Sequence, residues 1–221
     1  MQARVSKNTA VIWDMDGVIA DTAPYHFKAW QEAFKKKDFT EGDFRRTFGQ
    51  RNDNIIRMIL GEGVTREEID AIAVEKEICF RRYIGRNVKS FPGVLELMKS
   101  LSQAGFKMAL ATSTPMENVR LVITGLGIDK YFKAIVADED VTRGKPDPQV
   151  FLIAAERLGI KPESCVVIED AVAGVTAAKR AGMRCVAVTN TNPRDSLGEA
   201  DLVVDSLEAI TVEDLERLIN I

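Results

Sequence analysis

Val11-Ile12-Trp13-Asp14-Met15-Asp16-Gly17-Val18 sets a short apolar run directly against two carboxylates and a glycine. With Ala10 before them, Val11, Ile12 and Trp13 read as a strand buried on both faces. Carboxylates are costly to bury without partners, so Asp14 and Asp16 need a reason to stand at such a strand's end. Residues two apart in an extended segment point to the same side. Both carboxylates therefore converge on one small volume at the strand's C-terminal end, where open α/β sheets bind their ligands.

Beyond this stretch, similar short runs rich in Val, Ile and Ala recur at residues 107–111, 134–137, 166–168, 186–188 and 202–204. Helix patterns lie between them. Val94, Leu97, Met98 and Leu101 keep helical spacing before Gly105. Asp147-Pro148 predicts an N-cap with proline at the first helical position, opening a helix through Phe151, Ala154, Ala155 and Leu158 to Gly159. Residues 171–180 are rich in small side chains and stop near Gly182. Thr211 and Asp214 open a last helix with Val212, Leu215, Leu218 and Ile219 on one face. Alternation of this kind predicts an α/β fold: a doubly wound parallel sheet built from right-handed β-α-β units.

One block breaks the alternation. From about residue 22 to residue 87 there is no strand pattern. Phe27, Trp30 and Phe34 mark one amphipathic helix, and Ile55, Ile56, Ile59 and Leu60 a second. Thr65 with Glu68 forms a capping-box pattern for a third, reaching Arg82 or beyond. The expected organisation is a core of residues 1–21 and 90–221 with a helical cap domain, residues 22–89, inserted after the first strand. Proline and glycine punctuate residues 21–24 and 90–93, the expected hinges. Both ends of the insertion emerge beside Asp14 and Asp16, so it is placed to close over them as a lid.

The chain has 221 residues, 46% hydrophobic and 29% charged, with a formal net charge of −3. That is the balance of a soluble globular protein, without the basic excess of a nucleic-acid or membrane-surface partner. Cys79, Cys165 and Cys185 are widely spaced and form no C-x-x-C pair, which fits a reducing compartment and buried thiols. Residues 1–9 are polar and lack the apolar region of a signal peptide, and no segment is long and apolar enough to span a bilayer. A cytoplasmic protein is expected.

Three further strand ends carry polar groups. The second runs into Thr112-Ser113-Thr114 ahead of a helix start near Pro115, where hydroxyls and backbone N–H groups can face an anion. The third leads to Arg143-Gly144-Lys145-Pro146, a stiff loop presenting one ammonium. The fourth ends in Glu169-Asp170. Four carboxylates in one crevice (Asp14, Asp16, Glu169 and Asp170) repel unless a cation sits among them or a proton is retained. Mg²⁺, a hard ion that takes oxygen ligands, answers this.

Together these residues resemble the haloacid dehalogenase superfamily, in its phosphatase branch with an α-helical cap and close to the β-phosphoglucomutase-like members. Asp14-x-Asp16-Gly17-Val18 is similar to the first motif, Thr112 to the second, Lys145 to the third and Glu169-Asp170 to the fourth. The resemblance implies that Asp14 attacks the phosphoryl group and forms an aspartyl-phosphate. Asp16 then serves as acid and base, protonated at first because of its anionic surroundings. It further implies that Mg²⁺ is held by the Asp14 side chain, the Asp16 backbone carbonyl and Asp170, with Glu169 assisting. Thr112 and Lys145 would hold the phosphoryl oxygens, with the backbone N–H of Ser113. An aspartate at position 16 favours oxygen leaving groups, hence phosphomonoesters.

In the cap, His26 lies in a segment resembling the one after the first motif of the mutases. Its alternatives are a half-exposed helix residue or a hinge-side group touching Asp16 or substrate. The mutases grip a second phosphate with a lysine followed by G-x-S-R, whereas Phe48-Gly49-Gln50-Arg51-Asn52 lacks both the lysine and the serine-arginine pair. Arg51 is the one candidate left there for substrate; Arg45, Arg46 and Arg57 read as a solvated helix face. The expectation is a monomeric, Mg²⁺-dependent phosphatase of a small phosphorylated metabolite such as a sugar phosphate. The alternatives are a β-phosphoglucomutase-like phosphotransferase and an inactive fold that binds a ligand or partner.

Overall fold

The computed structural model describes residues 8–35, 37–85 and 87–220. Most of the polar N-terminal segment, residues 1–7, lies outside the described residues. Among the described residues, six strands form one parallel sheet: β1 (Ala10–Trp13), β2 (Lys107–Ala111), β3 (Ala134–Val136), β4 (Cys165–Glu169), β5 (Arg184–Val188) and β6 (Leu202–Val204). Their order is β3-β2-β1-β4-β5-β6, and all pairings are parallel. Trp13 is in register with Leu110 of β2 on one side and Ile168 of β4 on the other. The winding direction thus reverses at β1, and Asp14 emerges at this switch point.

Period-two alternation divides the sheet's side chains between two cores. Val11, Trp13, Met108, Leu110, Val166 and Ile168 face α5 (Val94–Ala104), α6 (Met116–Leu126) and α9 (Val212–Ile219). Ala10, Ile12, Ala109, Ala111, Val167 and Cys185 face α7 (Gln149–Leu158) and α8 (Val172–Arg180). Alanines on both partners, among them Ala109, Ala111, Ala154 and Ala178, let these helices approach the second face closely. Each fully buried Val, Ile or Leu contributes about 1.5–3 kcal/mol, so both faces stabilise the strands that carry the motifs. α7 starts one residue later than predicted, at Gln149, with Pro148 in the N-cap position; Asp147 still caps it, its Oδ1 accepting from the Gln149 N–H at 3.0 Å.

Among the described residues, four helices lie between β1 and α5: α1 (Ala23–Ala33), α2 (Glu41–Thr47), α3 (Asn52–Leu60) and α4 (Arg66–Ile84). The sequence reading predicted three. α2 has only seven residues, too few for its periodicity to stand out, but a Thr40–Asp43 capping box starts it. The predicted Thr65–Glu68 box opens α4. Trp30, Phe34, Phe39, Ile55, Ile56, Ile59 and Ile69 form a separate apolar cluster within this unit. Its two connections run side by side: the Asp21 N–H donates to Lys89 O at 3.0 Å, and the Phe91 N–H to Ile19 O at 3.1 Å. Cys79, Cys165 and Cys185 are buried free thiols. Among the described residues no helix is long and apolar enough to cross a membrane.

Candidate active site

Asp14 extends the β1–β4 ladder by one bond, its N–H donating to Ile168 O at 3.0 Å. That bond fixes its side chain at the sheet's C-terminal edge. The Lys145 ammonium donates to Asp14 Oδ1 at 2.5 Å and to Glu169 Oε1 at 2.6 Å. Lys145 is 1% exposed, and its two carboxylate partners hold it protonated by outweighing burial. Glu169 is fixed from its other oxygen, which accepts from the N–H groups of Asp170 at 2.7 Å and Ala171 at 2.9 Å. Asp170 accepts a short hydrogen bond from Thr191 Oγ1.

Asp14, Glu169 and Asp170 each offer an oxygen, and these three atoms lie within 4.8 Å of one another. One ammonium faces three buried carboxyls. Burial pushes the Asp14 carboxyl up to about 8; Lys145 pulls it down, while Glu169 and Asp16 add to the rise. Burial also raises Asp170 well above the carboxylate range, with Glu169 and Asp14 adding to it. Such a set, all oxygen donors and short of positive charge, fits a hard divalent cation such as Mg²⁺. The D-x-D-G turn is shaped around it. Gly17 has φ +86°, and a Cβ there would fall 2.1 Å from Asp170 Oδ2. The Asp16 side chain is not part of this cluster, leaving only its backbone for the predicted metal contact.

The Asp16 carboxyl points instead toward the helical unit. It accepts from Thr22 Oγ1 at 2.6 Å, Thr114 Oγ1 at 2.5 Å and His26 Nε2 at 3.1 Å. The carboxylate only accepts, so the imidazole hydrogen belongs on Nε2. Burial alone would raise this carboxyl, but His26 and the two hydroxyls hold it at about 2. These donors favour the carboxylate form of Asp16, whereas the sequence reading weighs the surrounding anions and expects it protonated at first.

His26 is buried, stacked on Phe80 at 4.0 Å between ring centroids, so the half-exposed alternative is excluded and the contact with Asp16 is present. Thr112 and Ser113 stand where predicted, at the end of β2. Thr112 Oγ1 accepts from the Thr114 N–H at 3.2 Å, and Ser113 Oγ donates to Gly49 O at 2.9 Å. Asp14, Asp16, Thr112, Ser113 and Thr114 wall one side of a cavity of about 30 Å³; His26, Trp30, Phe48, Gln50, Ile55 and Lys76 wall the other. That is room for about one water. The helical unit is thus closed over the site.

Arg51 does not reach this cavity. Its Nη1 donates to the backbone carbonyls of Asp138 at 3.1 Å and Val141 at 2.5 Å, clasping the helical unit to the loop after β3. Gly144 makes this possible, since a Cβ there would lie 2.6 Å from Arg51 Cδ. The sequence reading expects Arg51 at the substrate; here it is engaged by core carbonyls and does not line the cavity. Lys76 is the cation that the reading missed. Its signal was the stripe Ile69, Ala73, Lys76, Phe80, Ile84, in which a lysine holds a position of helical spacing otherwise filled by apolar residues.

A profile of the haloacid dehalogenase-like hydrolases matches residues 11–188, spanning all four strand-end motifs. The chain is a haloacid dehalogenase-like hydrolase. Among members of this family, a phosphorylated carbohydrates phosphatase of Thermotoga maritima is 34% identical over 198 residues, covering 88% of this chain and 92% of the relative. A β-phosphoglucomutase of Bacillus subtilis is 36% identical over 216 residues, covering 92% of each. The crystal structure of a β-phosphoglucomutase from Clostridium difficile superposes with a TM-score of 0.87 at 31% identity, covering 96% of this chain and 97% of that one. This hydrolase therefore combines the core motifs of its family with a cap wall in which aromatic and aliphatic groups surround one lysine.

Proposed function

We propose that this hydrolase is a Mg²⁺-dependent phosphatase of a small sugar phosphate and works through an aspartyl-phosphate on Asp14. The observation that carries the reading is the separation of two buried carboxyls. Asp14 faces the cation-binding cluster, whereas Asp16 is held by Thr22 and His26 of the cap and Thr114 of the core.

Asp14, Glu169 and Asp170 would hold the metal, which when bound supplies charge neutralisation between the anionic phosphoryl group and the carboxylate that attacks it. An Asp14 oxygen forms the bond to phosphorus as the bond to the leaving oxygen breaks. Asp16 hands a proton to that leaving oxygen. Water then attacks phosphorus, Asp16 takes its proton, and inorganic phosphate leaves with Asp14 restored. His26 and the two hydroxyls keep Asp16 as a carboxylate, the form that accepts the proton in the second half. For the first half Asp16 must already carry a proton, taken from solvent before the cap closes and regained from the attacking water in each turnover. Thr112 and Lys145 hold the phosphoryl oxygens. Because the closed cavity is water-sized, the cap (residues 22–89) must swing away to admit substrate.

What favours hydrolysis over phosphotransfer is the cap wall. Phe48 stands in it, Arg51 is engaged by the core, and among the described residues lining the cavity Lys76 is the one cation. A second phosphate finds no receptor there. Relatives named as phosphatases of phosphorylated carbohydrates and of fructose 1-phosphate support a sugar phosphate as substrate. The test is release of inorganic phosphate from a panel of phosphomonoesters with Mg²⁺, lost in Asp14→Asn and on chelation. Conversion of β-glucose 1-phosphate to glucose 6-phosphate without net phosphate release would assign the mutase activity instead.

A further inference from the structure

Glu77 takes no part in the chemistry above, yet it is a buried carboxylate one residue from the lysine that faces the site. Adjacent helix residues point about 100° apart around the axis, so their side chains do not ordinarily meet. Here they do: the Lys76 ammonium curls back to donate to Glu77 Oε1 at 2.7 Å. The lysine is otherwise packed between aromatic faces, 5.3 Å from the Trp30 ring centroid and 5.5 Å from that of Phe80.

The rest of the Glu77 carboxylate is also engaged. Oε1 accepts from Asn52 Nδ2 of α3 at 2.8 Å, and Oε2 from Asn118 Nδ2 of α6 at 2.5 Å. Asn118 belongs to the core, so this last bond crosses the seam between cap and core. Asn118 cannot turn its amide over freely, because its Oδ1 accepts from Arg81 Nη1 at 3.1 Å. Opening the cap breaks the Glu77–Asn118 bond and exposes both groups. Closing it restores the bond and sets the third partner of the carboxylate that orients Lys76.

We propose that Glu77 is a positioning residue: it aims the Lys76 ammonium at the substrate and couples that aim to cap closure through Asn118. The inference rests on the reading of this cavity as a phosphomonoester site. It assigns Glu77 an effect on substrate affinity that exists only while Lys76 is present.

A double-mutant cycle tests it. With p-nitrophenyl phosphate as probe, Glu77→Gln should raise KM roughly tenfold, as for loss of a hydrogen bond to a charged group, and leave kcat within about threefold. In a Lys76→Met background the same change should move KM by less than about twofold. Asn118→Ala removes the seam bond to Glu77, together with the Arg81–Asn118 bond, and carries the same pair of measurements should Glu77→Gln fail to fold. Equal effects of Glu77→Gln with and without Lys76, an unchanged KM, or an unchanged KM in Lys76→Met alone would each overturn the proposal. If the unaltered protein hydrolyses no phosphomonoester, the phosphatase reading fails by itself. The cycle is then read on the calorimetric dissociation constant of inorganic phosphate with Mg²⁺, where independent effects, or no effect, overturn the role of Glu77.

Discussion

Lys145 and Asp14, 131 residues apart in the chain, meet through a bond of 2.5 Å between Nζ and Oδ1. The parallel sheet makes this meeting possible, because every strand delivers its C-terminal end to the same edge. Removing one partner of a buried pair leaves the other uncompensated, at a cost of about 3–5 kcal/mol. Lys145→Met should therefore lower stability by that order in denaturant unfolding and abolish turnover together. Loss of activity with unchanged stability would mean that the Lys145–Asp14–Glu169 linkage is not formed in solution.

Asp16 is held apart from that linkage by three donors. Asp16→Ala should slow single-turnover phosphoryl transfer by roughly 10²–10⁴-fold, the usual contribution of a general acid and base. Binding of inorganic phosphate should change much less, since Asp16 does not face the cation cluster. A rate close to that of the unaltered protein would remove Asp16 from the mechanism.

Two glycines shape the cation site, and each offers a substitution that keeps every ligand residue in the sequence but displaces one of them. A Cβ at Gly174 would fall 1.8 Å from Glu169 Oε1, and one at Gly17 would fall 2.1 Å from Asp170 Oδ2. Gly174→Ala should push Glu169 off Lys145 and raise the Mg²⁺ concentration for half-maximal activity by roughly 10–100-fold, as expected when a metal ligand loses its support. Titration of activity against Mg²⁺ checks this, and an unchanged midpoint counts against the proposed cation site.

The strands were legible because buried parallel strands are uninterrupted apolar runs, and the motifs were legible because three stand at the end of one and Lys145 lies in the loop that follows β3. Glu169, Asp170 and Lys145 could be placed on one edge before any coordinate was known. The cap was legible as helices but not as a surface. α2 was too short to show a period, and Arg51 was chosen for its charge, although two core carbonyls and the space left by Gly144 decide where it goes. Lys76 was hidden because a charged residue in a long helix usually faces water. The protonation of Asp16 depended on Thr22, Thr114 and His26, whose approach no spacing rule specifies.

The Arg51 clasp brings a pH dependence of stability through Asp138. Burial pushes this carboxyl up to about 6; Arg51 pulls against that, and Asp53 and Glu139 add to it. Arg51 Nε lies 3.2 Å from Asp138 Oδ1, yet that oxygen accepts no hydrogen bond, so the charge is only partly compensated. An acid whose folded-state pKa is raised binds its proton more tightly when folded. Its contribution is greatest below the ordinary carboxylate pKa of 3.8 and is lost as pH rises through about 6. Asp138→Asn, uncharged at every pH, should therefore raise Tm relative to the unaltered protein above about pH 6 and lose that advantage near pH 4. Arg51→Met should act in the opposite sense at neutral pH, destabilising by roughly 1–3 kcal/mol because two buried carbonyls lose their donor. It should leave KM nearly unchanged, since Arg51 does not line the cavity. A large rise in KM at unaltered stability would return Arg51 to the substrate site and make the clasp a feature of the empty enzyme alone.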